Sequence, residues 1–182
     1  MTERGPTRTV LHVDFLTDTH RITCQVEPGP IGIVGTLNDT TSSLLLARNA
    51  YFSRLQQPTK IVANFEEIHL VKAHLALALL NRREDLGPQS YLRPSVGRIL
   101  SAPVYLTTTM FEIRGTTEFT SRIDPDSLLI GGVGLNAARY TMLYNVTVIV
   151  TAYPDLPPFS AGALVFNRDF VTGMGVLTKG KA

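Results

Sequence analysis

Two stretches of this chain echo each other in order, and a repeat constrains a fold more tightly than any single motif. Phe15-Leu16-Thr17 matches Tyr105-Leu106-Thr107 at an offset of 90, and Ser43-Leu44-Leu45 matches Ser127-Leu128-Leu129 at 84. Phe52-Ser53-Arg54-Leu55 matches Tyr140-Thr141-Met142-Leu143, and Lys60-Ile61-Val62 matches Val148-Ile149-Val150, both at 88. Leu79-Leu80-Asn81-Arg82 then matches Val165-Phe166-Asn167-Arg168 at 86. Offsets that drift by loop-sized amounts while the order holds point to one unit used twice.

Each copy reads as β-β-α-β-β. In the first, Leu11 to Phe15 and Arg21 to Glu27 form strands around the turn Thr17-Asp18-Thr19-His20. Ile22, Cys24 and Val26 alternate with Arg21, Thr23 and Gln25, the period of a half-buried strand. Asn38, Asp39 and Thr40 offer capping oxygens before helical turns over Leu44 to Ala50, and a strand follows at Thr59 to Phe65. Val71 to Leu80 favours helix by propensity but occupies the place of a strand in the repeat. The second copy gives Val104 to Leu106, Phe111 to Phe119, helical turns opened by Asp124-Pro125, and strands at Asn145 to Tyr153 and Ala161 to Asn167. The expected fold is therefore mainly β: two tandem small barrel or sandwich units packed together, mostly antiparallel. The first repeat covers 10–83, a linker containing Gly87-Pro88, Arg93-Pro94 and Gly97 covers 84–102, the second repeat covers 103–171, and a flexible tail covers 172–182. A unit of this size buries a modest share of its surface alone, which is why the copies are expected to share a core.

Composition narrows the function classes. Of 182 residues 44% are hydrophobic and 18% charged, which excludes intrinsic disorder. A single cysteine, Cys24, rules out an internal disulfide and a cysteine-based zinc site. The longest apolar runs, Ala76 to Leu80 and Val146 to Val150, are far shorter than the roughly 20 residues a membrane-spanning helix needs. The polar start, Met1 to Thr9, leads into no apolar signal core, so a cytoplasmic protein without membrane insertion is expected. The net charge of +2 comes wholly from the second half, where eight basic residues meet six acidic ones, against nine and nine in residues 1–90. Only Arg82-Arg83 are adjacent, and Glu84-Asp85 follow them, so the clustered cations of a nucleic-acid surface are missing.

Phe111-Glu112-Ile113-Arg114-Gly115, Asp126-Ser127-Leu128-Leu129, a β-branched strand and a terminal Val165-Phe166-Asn167-Arg168-Asp169 succeed one another in the second copy. This succession resembles a bacterial family of small β-domains of uncharacterised role and, more loosely, the Sm-like barrels. The resemblance covers about 60 residues. Ile113-Arg114-Gly115 is similar to a tripeptide that Sm-like proteins use in RNA binding, although here it sits in an early strand. The resemblance implies ring-like assembly and assigns no catalytic residue.

Three groups of residues are candidates for chemistry. Gly132-x-Gly134-x-x-Ala137 fits a dinucleotide fingerprint, with Ala138 to Leu143 as the helix, Thr147 to Ala152 as the next strand and Asp155 near the place of a ribose-binding acid. Against it, the first copy has no glycines there, and no run of alternating strands and helices follows. His12, Asp14 and His20 could converge across the first hairpin, while His69 and His74, five apart, fit neither a helix face nor a strand face as metal ligands. Cys24 lies on an apolar strand face, as an inert buried thiol does. Glu66-Glu67 read as a solvated turn, and Asn167-Arg168-Asp169 as a strand end tied by a surface ion pair.

No catalytic residue, cofactor or metal site is expected. The leading reading is a non-enzymatic assembly subunit or protein-binding module that self-associates or binds a protein partner. Weak Sm-like nucleic-acid binding and a nucleotide site at Gly132 to Ala137 are the alternatives.

Overall fold

The computed structural model describes residues 10–88, 99–119 and 138–177. Ten strands form one antiparallel sheet: β1 (Leu11–Leu16), β2 (His20–Val26), β3 (Leu44–Arg54), β4 (Gln57–Val71), β5 (Leu77–Leu80), β6 (Leu100–Thr108), β7 (Phe111–Phe119), β8 (Tyr140–Val150), β9 (Phe159–Asn167) and β10 (Val171–Val176). Their order across the sheet is β10-β6-β7-β8-β9-β5-β1-β2-β3-β4. Mainly β character holds, and the strands make one continuous antiparallel sheet.

The order contains one arrangement twice. In each half the first four strands form a meander and the fifth returns to pair with the first: β5-β1-β2-β3-β4 and β10-β6-β7-β8-β9. Registers agree residue by residue. Phe15 faces Ile22 across the first hairpin and Leu106 faces Ile113 across the other, 91 positions on. Thr17 and Thr108, also 91 apart, close the two turns alike, each hydroxyl accepting the N–H three residues on, from His20 or Phe111. From β3 onward the spacing is 96. Leu44 faces Val71, and Tyr140 faces Asn167. A 3-10 turn follows at Lys72–His74 and again at Arg168–Phe170. Asn49 and Asn145, likewise 96 apart, are the only non-glycine residues at positive φ among those described, at 47° and 48°. Each sits where the register with the preceding strand slips by one, between Thr23 and Gln25 in one half and between Arg114 and Thr116 in the other. Asparagine tolerates this left-handed conformation better than most residues, and the bulge re-aims the side chains beyond it.

Local readings are corrected at several points. Leu44 to Ala50 are good helix formers, yet they open β3 because β2 and β4 offer ladders on both sides, and pairing overrides propensity. The helix of the first half, α1 (Gly32–Asn38), lies earlier, in a sequence with two glycines and no side-chain cap. It forms because Ile33, Val34 and Leu37 bury one face in the core. Gly32 and Gly87, both at positive φ, stand back to back there. A Cβ on either one would come within 2.6 Å of the other's Cα. Val71 to Leu80 divides into the end of β4, one 3-10 turn and β5. Residue 100, assigned to the linker, starts β6, and residues 172–176, assigned to a flexible tail, belong to β10, where the open edge of β6 supplies hydrogen-bond partners. Several sequence matches also joined non-equivalent strands. Lys60-Ile61-Val62 lies in β4 and Val148-Ile149-Val150 in β8. The helical turns placed after Asp124-Pro125 fall outside the described residues.

Two cores flank the seam where the halves meet. One gathers the inner faces of β1, β2 and β3 with α1, and takes Ala78 and Leu80 from β5 and Ala163 and Val165 from β9. The other gathers β6, β7 and β8, and takes Leu77, Leu79, Leu164 and Phe166 from the opposite face of the same two strands. The seam is thus apolar on both sides, and β5 is buried throughout.

Candidate interaction edge

The polar residues of the first hairpin do converge, but on one another. Asp14 accepts a 2.6 Å ion-pair contact from Arg21 and a 2.5 Å hydrogen bond from the Thr23 hydroxyl. Arg21 also reaches the Pro58 carbonyl at 3.4 Å and lies over the Phe159 ring. These groups line an open groove of about 400 Å³ together with His12 and Asn81. With both carboxylate oxygens engaged, Asp14 is a structural acceptor. His20 turns away to contact the Thr19 hydroxyl at 2.8 Å. His69 lies on β4 and His74 in the 3-10 turn that follows it. Among the described residues no three histidine, cysteine, aspartate or glutamate side chains group as metal ligands. Cys24 is 2% exposed, and burial, helped by the Asp14 charge, pushes its thiol up to about 12. It is chemically quiet.

The glycine loop Gly132, Gly134 and Ala137 lies outside the described residues. Tyr140 to Leu143, which a dinucleotide site would need as helix, are strand residues paired with β9, and Asp155 is exposed in the loop between β8 and β9. Glu66 and Glu67 are in β4, not in a turn, and Glu67 sits 3.5 Å from Arg48. Asp169 pairs with Arg139 at 2.9 Å, while Asn167 caps the turn by accepting the Asp169 N–H.

What stands out is an apolar surface at one end of the sheet. Among the described residues eleven large hydrophobic side chains are exposed, and seven of them belong to β3 and β4. On the outer face Leu44 sits opposite Val71, Leu46 opposite His69 and Arg48 opposite Glu67. Further along, Phe65 is 43% exposed and packs edge-on against Phe52, while Ile61 is 59% exposed. A hollow of about 250 Å³ beside this face is lined by Val10, Leu46, Arg48, Glu27 and Gln25. Beyond it the 15-residue β4 is the last strand of the sheet among the described residues, and none of them forms a strand against its outer row of backbone groups. Proteins usually blunt such edges with proline, bulges or shortness, because a bare ladder recruits another strand. Here the one proline, Pro58, stands next to the first residue. Sequence reasoning missed this surface because β4 was read as ending at Phe65 and β3 as helix, so their apolar residues were never placed on two paired strands.

The equivalent place in the second half is covered. Tyr140, Met142 and Tyr144 occupy the β8 positions of Leu44, Leu46 and Arg48, and they pack into the core of the first half. The Asn38 side chain brackets the Tyr140 backbone with two 2.9 Å hydrogen bonds, one to its carbonyl and one from its N–H. The Tyr140 hydroxyl donates to the Lys72 and Leu75 carbonyls. Burial holds that phenol well above its ordinary range.

No protein-family model, curated protein or solved structure matches this chain. No helix among the described residues is long and apolar enough to cross a membrane.

Proposed function

We propose that this protein is a non-enzymatic β-sheet subunit that works by binding protein through the exposed β3–β4 end of its sheet. The observation carrying the proposal is that, among the described residues, seven of eleven exposed large hydrophobics lie on those two strands, beside an edge that no described strand pairs with. An apolar patch next to a bare ladder is poorly suited to water and well suited to another polypeptide. The polar groups that could do chemistry are engaged with each other at Asp14, Arg21 and Thr23.

Size-exclusion chromatography with light scattering tests the reading. The expected result at micromolar concentration is a species heavier than the 19.9 kDa chain, shifted toward monomer by the double substitution Ile61→Lys with Phe65→Lys. A monomer before and after substitution counts against self-association. Salt-dependent retention of RNA by the same sample would favour the Sm-like nucleic-acid reading instead.

A further inference from the structure

We infer that chains join head to tail, with β10 of one chain adding to the free edge of β4 in a second copy. This inference rests on the assembly reading above and specifies its geometry.

The template lies inside the chain. At the seam β5, fifth strand of the first half, pairs antiparallel with β9, fourth strand of the second. The two strands left at the ends of the sheet are the fourth strand of the first half, β4, and the fifth of the second, β10. Among the described residues a chain therefore carries one complementary pair already joined and one complementary pair open. The open pair points in opposite directions along the sheet, so the two members cannot meet within one flat sheet, but members from different copies can.

The register can be read off. At the seam Leu77 faces Phe166, Ala78 faces Val165, Leu79 faces Leu164 and Leu80 faces Ala163. Moving each β5 residue forward by 96 and each β9 residue back by 96 places Gly173 opposite Leu70, Met174 opposite His69, Gly175 opposite Ile68 and Val176 opposite Glu67. The backbone polarity required for that pairing is present on both strands. The Lys72 N–H donates to Ser43 and the Leu177 N–H to Pro103, each back into its own half. Strand alternation then turns the N–H groups of Val71, His69 and Glu67 outward from β4, and those of Met174 and Val176 outward from β10. At the seam the matching outward group, the Asn167 N–H, donates to the Ala76 carbonyl at 2.9 Å. The partner surfaces fit as well: exposed Leu46 and Val71 flank the place where Met174 would lie. An interface of two different patches does not close on itself as a two-fold dimer, and it repeats into a ring or a filament.

A cross-linking experiment on the full chain tests this. Hydrogen-bonded antiparallel partners stand about 5.5 Å apart at Cα, within the range a disulfide spans. His69→Cys combined with Met174→Cys is expected to give a ladder of covalent multimers on a non-reducing denaturing gel, collapsing to one band on reduction. The native Cys24 is buried and does not compete. Ile61→Cys with Met174→Cys, out of register, is expected to give no ladder. His69→Pro removes an outward N–H without touching the β3 ladder, and is expected to lower the solution mass while leaving circular dichroism unchanged. A wild-type multimer whose 69/174 cysteines fail to link overturns this geometry and leaves the assembly reading standing. Linkage by His69→Cys alone, which means β4 pairing with β4, also overturns it. A wild-type monomer that neither multiplies nor cross-links removes both.

Discussion

β9 and β4 hold the same place in their halves, yet the second half of β9 is fully buried and β4 is exposed along most of its length. From Ala163 to Phe166 every β9 residue is 0% exposed, whereas of the matching Glu67 to Leu70 only Leu70 is buried. Strand order, the asparagine bulge and the register from Glu67 to Leu70 and from Ala163 to Phe166 are the same in both halves, so local conformation does not separate these stretches. The difference is a neighbour: β9 has β5 against its edge and the first half against its outer face, and among the described residues β4 has neither. A strand's burial is thus a property of its partners.

The sharpest way to break this comparison is to place one charge at matching positions. Val165→Asp puts an unpaired carboxylate in the seam, and its cost in urea unfolding is expected to exceed about 4 kcal/mol, enough to unfold the chain. His69→Asp, 96 positions earlier, is expected to stay within about 0.5 kcal/mol because the site is exposed. Comparable losses at both sites would mean that β4 is covered even in the isolated chain.

Next in size is the glycine clasp that fastens α1 in the first half. Gly87→Ala adds a methyl against Gly32 at positive φ, and a destabilisation of about 2–4 kcal/mol is expected from strain plus overlap. Thermal unfolding by circular dichroism reads it. Smaller again is the loss at Tyr140, which has no hydroxyl counterpart at Leu44. Tyr140→Phe leaves the Lys72 and Leu75 carbonyls short of a donor, costing about 1–3 kcal/mol, measured by urea titration.

The bulges sharpen the likeness between halves. Asn49→Val and Asn145→Val each force a β-branched residue to positive φ, at about 1–3 kcal/mol, while glycine at either site is expected to be nearly neutral. Costs differing by more than about 1 kcal/mol would show that the bulges are not equivalent in energy. The smallest effect concerns Cys24. Its thiol rises from an ordinary value near 9 to about 12 on folding, so folding favours the protonated form. The contribution is fully present below pH 9 and is lost as pH climbs toward 12. Between pH 6 and 8 no change in stability from this group is expected, and a thiol reagent at pH 8 should label it only after denaturant is added.

Legibility in the sequence followed the strength of local pattern. The first hairpin was readable because Ile22, Cys24 and Val26 alternate cleanly, and Phe111–Phe119 emerged with the same bounds. β3 was not, because Leu44-Leu45-Leu46-Ala47-Arg48 carries helix propensity and only the flanking strands make it extended. α1 was missed for the converse reason: Gly32-Ile33-Val34-Gly35 is a poor helix former held by tertiary burial. β10, with two glycines in six residues, looked like a tail until the edge of β6 supplied its partner. The surface at β3 and β4 was illegible because it depends on two strands whose extent was misjudged. The groove around Asp14 was half legible: sequence brought its residues to one hairpin, and only geometry showed Arg21 and Thr23 using up its oxygens.

By itself the sequence determined that this is a β-rich chain without a disulfide framework or a long membrane-spanning run. Those are matters of composition and of neighbours along the chain. Tertiary structure alone decided which strand meets which and that the halves share one sheet. The reason is that sheet hydrogen bonds join residues far apart in sequence, so the pairing of a strand depends on what else has folded beside it.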